Sequence, residues 1–215
     1  MKVLVACEYS GTVRDAFRKL GHDAMSCDFL PTDVPGPHHQ GDMFDIVDRG
    51  WDLLIAHPPC TYLCSSGLHW NKRVPGRAEL TEEALRFVQR ILDLPIEHIA
   101  LENPVGCISK RIRKPDQIIQ PYQFGDDAAK QTCLWLKNLP TLVPTQFVPG
   151  RIVTRPDGKQ ISRWSNQCDN YGQDKTPPSP DRWKIRSKTY QGIANAMAQQ
   201  WATAIEQRVV HKQVA

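Results

Sequence analysis

The sequence predicts a doubly wound α/β fold built on a mostly parallel sheet. Three features predict it. Short apolar runs at 2–7, 51–56 and 99–101 read as strands buried on both faces. Turn-rich or helix-patterned segments lie between these runs. One amphipathic helix then closes the chain. With 215 residues, 40% hydrophobic and 23% charged, the chain can bury one substantial core. A single domain is expected over residues 1–215, with a reduced insertion at about 145–188.

Residues 2–7 form the first expected strand, followed by a turn at Ser10-Gly11 and a helix to about Leu20. Gly21-His22 caps that helix, and a second strand ends near Cys27-Asp28. Pro31 to Gln40, with three prolines and a glycine, is expected to be loop. Gly41-Asp42 precedes a short turn or helix, and Trp51 to Ala56 is the next strand. Over 79–93, Leu80, Ala84, Leu85, Val88 and Leu92 are spaced for one helix face. Ile99 to Leu101 is a further strand, and Cys133 to Leu136 another in a less regular part of the sheet. Residues 145–188, rich in Pro, Gly, Asp, Asn and basic residues, read as irregular. In the closing helix, Thr189 to Gln207, residues Ile193, Met197, Trp201 and Ile205 share an apolar face.

Composition narrows the function. No run of 18 or more apolar residues occurs, so no membrane span is expected. Seven cysteines without a signal peptide point to a reducing cytoplasm, where they stay free or act chemically. The net charge is +4, yet residues 151–188 hold nine Lys/Arg against four Asp. Such a segment suits a phosphate backbone, and equally an ordinary solvated loop. Trp164, Tyr171 and Trp183, interleaved with Arg163, Arg182, Lys184 and Arg186, suit base stacking and phosphate contact, or a small satellite core with a charged rim.

The most informative residues are Pro58-Pro59-Cys60, just past the strand ending at Ala56. Open α/β sheets bind ligands at that edge, and a cysteine there is a poor core residue but a good nucleophile. Taken alone, the motif leaves several thiol chemistries open. Its neighbours are the turn after the first strand (Glu8, Ser10, Gly11), whose backbone amides and helix N-terminus suit a polar cofactor, and Asp28, which suits accepting from ribose hydroxyls and equally an ordinary loop acid or helix cap. Gly41-Asp42 follows, and Glu102-Asn103-Pro104 lies 42 residues beyond Cys60. Cys60, Cys64 and His69 lack a second ligand pair, so no metal is expected. Cys7 and Cys64 read as structural, His38-His39 as solvated, and His57 as either lining the pocket or packing.

Taken in order, these motifs resemble the cytosine-C5 DNA methyltransferase family, over about residues 2–136 and 186–205. Ala6 to Gly11 stands at the family's cofactor loop, Asp28 at its ribose acid and Asp42 at its adenine-contacting acid. Pro59-Cys60 is similar to the nucleophile loop, Glu102-Asn103 to the Glu-Asn-Val motif, and Gly192 to Asn195 to the closing Gly-Asn-x-Val motif. The resemblance implies a Rossmann-like S-adenosylmethionine-dependent methyltransferase fold. It implies Cys60 as the nucleophile that adds to cytosine C6 and Glu102 as the carboxyl group facing N3. Cofactor contacts are implied at Glu8, Ser10, Gly11, Asp28, Asp42, Pro59 and Asn195. Substrate contacts are expected at Asn103, Lys130, Gln131, Arg163, Arg182, Lys184 and Arg186. DNA is the implied partner, with the base flipped out of the helix, and no obligate protein partner is evident.

Three departures qualify the resemblance. Glu8 and Ser10 stand where the cofactor loop carries glycines. The Gln-x-Arg-x-Arg motif has no copy, Lys130-Gln131-Thr132 taking its place without an arginine. A recognition domain of ordinary size is missing, which resembles compact phage-encoded members and implies the cytoplasm of a bacterial or phage-infected cell. The same covalent chemistry on a free pyrimidine nucleotide or RNA, or with a modified alkyl donor, stays open. So does a catalytically silent nucleic-acid-binding protein.

Overall fold

The computed structural model describes residues 1–172 and 174–214. Its centre is a seven-stranded sheet. In chain order the strands are β1 (Lys2–Ala6), β2 (Asp23–Asp28), β3 (His38–Gln40), β4 (Leu53–Ala56), β5 (His98–Pro104), β6 (Gln117–Ile119) and β7 (Thr132–Lys137). Their spatial order is β3-β2-β1-β4-β5-β7-β6. The first five are mutually parallel, and β7 runs antiparallel to both β5 and β6. The sheet is therefore doubly wound and mainly parallel, a Rossmann-like layout, and the strand order reverses direction between β1 and β4. The crevice outside the carboxyl ends of those two strands is where folds of this layout bind ligands.

Both faces of the sheet are covered, which is why its strands read as unbroken apolar runs. In β1, Val3 and Val5 face one core, while Leu4 and Ala6 face the other. The first core is closed by α1 (Thr12–Lys19) and the C-terminal helices, the second by α3 (Arg77–Leu92) through Leu85, Val88 and Ile91. Burying one such aliphatic side chain contributes about 1.5–3 kcal/mol. Short helices α2 (Ser65–Leu68) and α4 (Ile108–Arg111) flank the carboxyl edge.

The closing helix begins at Gln191 rather than Thr189, and its apolar face shows why its path is uneven. It comprises α6 (Gln191–Ala196), a wide π turn over Met197–Trp201 and α7 (Ala202–Val214). Ile193, Met197, Trp201 and Ile205 are all buried, yet steps of four residues drift about 40° each around an α-helix. A π turn takes up that drift, because it fits more residues per turn. It keeps Trp201 inward, where its indole N–H donates to the Pro140 carbonyl at 3.0 Å.

Two expectations need correction. The segment taken as loop to Gln40 ends in β3, and His38 is not solvated there. Its Nδ1 lies 2.9 Å from Ser26 Oγ and its Nε2 2.9 Å from the Leu30 carbonyl. The fully buried Arg14 organises the same segment, donating to Ser26, Thr32 and the carbonyls of Val34 and Pro35, with Asp15 at 2.7 Å balancing its charge. The stretch 145–188 is also less irregular than its composition implies. It holds the hairpin β8 (Arg151–Thr154) with β9 (Gln160–Arg163) and the helix α5 (Arg182–Ser187). Two exchanges between side chain and backbone fasten it to the body, the Asn166 amide with both backbone groups of Ala129 and Ser165 with Asp127. Trp164 also stacks on Tyr122 with ring centroids 4.0 Å apart.

Candidate active site at the carboxyl edge of the sheet

Parallel register decides which side chains meet. Ala6 pairs with Ala56 and Ala56 with Leu101, so His57, just past β4, and Glu102, still within β5, stand side by side. His57 Nδ1 lies 3.2 Å from Glu102 Oε2, with side chains 10% and 16% exposed. Burial alone would raise the Glu102 carboxyl; the His57 hydrogen bond and the Lys130 charge outweigh it and leave the group below the ordinary glutamate range. Glu102 is therefore ionised at neutral pH.

Cys60 sits on the loop leaving β4, within electrostatic reach of both Glu102 and Lys130. That loop is braced from β5. Asn103, 1% exposed, donates from Nδ2 to the Pro58 carbonyl at 2.7 Å. The Ser65 amide donates to Val105 O at 3.0 Å and the Cys107 amide to Leu63 O at 2.9 Å. Gly106 permits this approach, since a Cβ there would lie 1.9 Å from the Leu63 carbonyl oxygen. Asn103, expected to touch substrate, thus has one side-chain nitrogen already committed to holding the nucleophile loop.

The two cysteines of this loop divide one proton between them. Cys64 is the N-cap of α2. A hydrogen bond from the Cys60 thiol, with further ones from Ser66 and the Gly67 amide, lowers its pKa to about 5. Cys60 is pushed well above the ordinary thiol range, by Cys64 first and then by burial. Of the two thiols, Cys64 is the one more readily ionised, although its sequence context reads as structural. Helix N-termini and hydrogen-bond donors favour the charged form of a thiol.

At the cofactor-side turn the chain differs from expectation. Glu8, 4% exposed, turns its carboxylate onto the start of α1, where it accepts from the Val13 amide at 2.7 Å and the Arg14 amide at 3.2 Å. Ser10 Oγ joins it, donating to Glu8 at 3.3 Å. These helix-start amides were expected to face a ligand, and Glu8 occupies them instead. Burial raises the Glu8 carboxyl, opposed by the charge of His57 and by the two amides. Gly11, with φ +73°, leaves space for the Arg14 guanidinium, 2.5 Å from where a Cβ would be. Asp28 and Asp42 both act electrostatically on the half-buried Cys7, whose thiol burial and then these charges raise. Each accepts one local backbone amide, Asp28 from Leu30 at 2.9 Å and Asp42 from Phe44 at 3.0 Å, and burial raises Asp28.

The basic segment lies across this edge as a strap. Tyr9 Oη donates to the Lys184 carbonyl at 2.9 Å, Lys188 pairs with Asp33 at 2.6 Å, and Lys130 Nζ donates to the Arg186 carbonyl at 3.0 Å. Trp183 and Tyr171 stay 50% and 80% exposed. The expected substrate residues do not gather in one place. Pro59 is exposed at the tip of the nucleophile loop, and Gln131 is exposed beside Lys130. Arg186 is exposed, with Nε 3.9 Å from Asp174, and Arg182 and Lys184 are partly covered. Arg163 folds inward onto its own hairpin, donating to the Asp169 and Ser162 carbonyls. Asn195 is exposed on α6 and accepts from Gln191 at 2.9 Å. Sequence reasoning missed a second cationic stretch, the exposed Trp70, Lys72 and Arg73 together with Arg77, just after the nucleophile loop. Its signal was readable, because no acid occurs between His57 and Ala78.

Fold and site together define a doubly wound α/β protein with a thiol pair, a histidine–glutamate pair and a lysine at the carboxyl edge of β4 and β5, beside the topological switch point of its sheet. No protein-family model matches the chain, and no curated protein matches it. Among solved structures similar to it is the Entamoeba histolytica methyltransferase EhMeth, at 15% identity and a TM-score of 0.46. The similarity covers 69% of this chain and 58% of that one, so the chain spans less than two thirds of that protein. Among the described residues, no group of three or more His, Cys, Asp or Glu is placed to hold a metal ion, and no helix is long and apolar enough to cross a membrane.

Proposed function

We propose that this protein methylates C5 of cytosine in DNA, using S-adenosylmethionine and a transient bond between Cys60 and C6 of the base. The observation that carries the proposal is that Cys60 follows β4 and Glu102 lies on the neighbouring β5, each within electrostatic reach of the other and of Lys130. This is the pair of roles the motifs imply, with a cation beside them. The ordered motif resemblance and the exposed basic and aromatic residues on both sides of Cys60 support it.

The chemistry follows from the residues. Cytosine C5 is too weak a nucleophile to be alkylated directly. Addition of the Cys60 thiolate to C6 makes C5 electron-rich. Cys64, the more readily ionised of the two thiols, is the candidate acceptor of the Cys60 proton. Glu102 faces the N3 side and holds a proton there as charge builds on the ring. After C5 is methylated, loss of the C5 proton to solvent water and departure of Cys60 with the C6–S electron pair restore the aromatic base and the free thiolate. S-adenosylmethionine, when bound, supplies an electrophilic methyl group. Asp28, at the end of β2, and Asp42, after β3, would hold its adenosine end, and both act electrostatically on Cys7. Glu8 seals the start of α1, so the amino-acid end would be held without the helix amides.

The test is trapping. DNA containing 5-fluorocytosine, incubated with the protein and labelled S-adenosylmethionine, should give a covalent adduct, since fluorine blocks the final elimination. Cys60→Ala should abolish the adduct. An adduct only with a fluorinated free nucleotide would move the substrate from DNA to nucleotide. Methyl transfer retained in Cys60→Ala would overturn the mechanism.

A further inference from the structure

We infer that His57 is the positioning residue of Glu102: its imidazole fixes the carboxylate and exchanges with it the proton that Glu102 presents to the pyrimidine ring. The inference rests on the Cys60–Glu102 reading and adds a residue to it.

The pair is built by the sheet rather than by a loop. Because β4 and β5 are parallel and in register through Ala56 and Leu101, the next residue of each strand is carried to the same height. Glu102 is still within β5, and the His57 amide donates to the Ala6 carbonyl at 3.0 Å, extending the contact with β1 by one residue. Both backbones are thus held by neighbouring strands. A site on such elements is better positioned than one on free loops.

The charged groups around the pair leave His57 as the direct partner. Glu8 reaches it electrostatically from beyond β1, Lys130 acts on Glu102 from the start of β7, and Cys60 lies on the loop after His57. Lys130 Nζ already donates to the Arg186 carbonyl. His57 alone of these is shown within hydrogen-bond distance of the Glu102 carboxylate, at 3.2 Å. Its second nitrogen, Nε2, is buried and has no hydrogen-bond partner among the described residues, so the ring is not consumed by a structural network.

The proton balance closes. As the Cys60 thiolate bonds to C6, negative charge moves onto the ring. Glu102, an anion at the outset, takes the proton from His57 Nδ1 and passes it to N3. When the C5 proton has left and the Cys60–C6 bond breaks, the N3 proton returns to Glu102 and then to His57. Histidine suits this exchange because its charge changes near neutral pH.

The test uses two readouts on the full-length chain. In the first, glutamate labelled with carbon-13 at the carboxyl carbon is titrated by NMR, with Glu102→Gln assigning the signal. His57→Gln should move the Glu102 titration to higher pH, because burial then acts unopposed by the imidazole. An unmoved titration overturns the inference. His57→Asn gives the same comparison should the first variant fold poorly. In the second, single-turnover trapping on 5-fluorocytosine DNA should slow about 10²-fold or more in His57→Gln, with DNA affinity kept. The pH profile between about pH 6 and 8 should flatten. Trapping at the wild-type rate and with the wild-type profile overturns the inference. If Glu102 shifts as expected but the wild type traps no fluorinated substrate, the positioning role stands and the C5 reading fails.

Discussion

Replacing Gly106 by alanine should loosen the loop that carries Cys60. The added Cβ would lie 1.9 Å from Leu63 O and 2.8 Å from Cys64 Cα. Both are backbone atoms, so no side-chain rotation relieves the clash. The 63–65 and 105–107 segments must separate, and the two hydrogen bonds that join them, Ser65 N to Val105 O and Cys107 N to Leu63 O, are lost or stretched. Each bond contributes about 0.5–1.5 kcal/mol, and overpacking costs about 1–3 kcal/mol. The total is centred near 4 kcal/mol, which for a chain of this size lowers Tm by roughly 8–16 °C. Thermal unfolding reads the global effect. Amide hydrogen exchange at Ser65 and Cys107 reads the local one, and both amides should lose protection. A variant with unchanged Tm and unchanged protection at these two amides would refute the bracing of the nucleophile loop by the segment after β5.

Two further outcomes follow from the same loop. Asn103→Ala removes the donor to the buried Pro58 carbonyl and should cost about 1–3 kcal/mol in urea unfolding; a loss well below that range would mean water replaces the amide. Iodoacetamide near neutral pH should modify Cys64 before Cys60, read by peptide mass spectrometry. The sign follows from the shifts: Cys64 is lowered to about 5, so it is a thiolate above that pH and loses reactivity as pH falls through it, while Cys60 is raised and stays protonated. Cys64→Ser removes the first cause of the Cys60 shift and should make Cys60 more reactive. Equal labelling of both thiols in the wild type would contradict this distribution of charge.

The local elements were largely legible because their causes are local. Unbroken apolar runs marked β1, β4 and β5, and a 3.6-residue pattern marked α3. Where the pattern was short or polar, reading failed. β3 and β6 are three residues each, and β3 is made of His38, His39 and Gln40, whose place in the sheet comes from pairing with β2 rather than from hydrophobicity. The hairpin β8–β9 has little apolar burial to announce it.

The sequence by itself determined the mainly parallel α/β class, the position of Cys60 past a strand end, and the acids that end β2 and precede the turn at Met43. Only the tertiary structure decided how these side chains use one another. Glu8 turned inward to cap α1 because its carboxylate is buried against unsatisfied amides. The pKa of Cys64 fell because the Cys60 thiol, Ser66 and the Gly67 amide all favour its charged form. His57 became the partner of Glu102 because two parallel strands, 45 residues apart along the chain, run in register. Spacing along a chain sets which residue types are present at a sheet edge, but strand order and register set which of them touch.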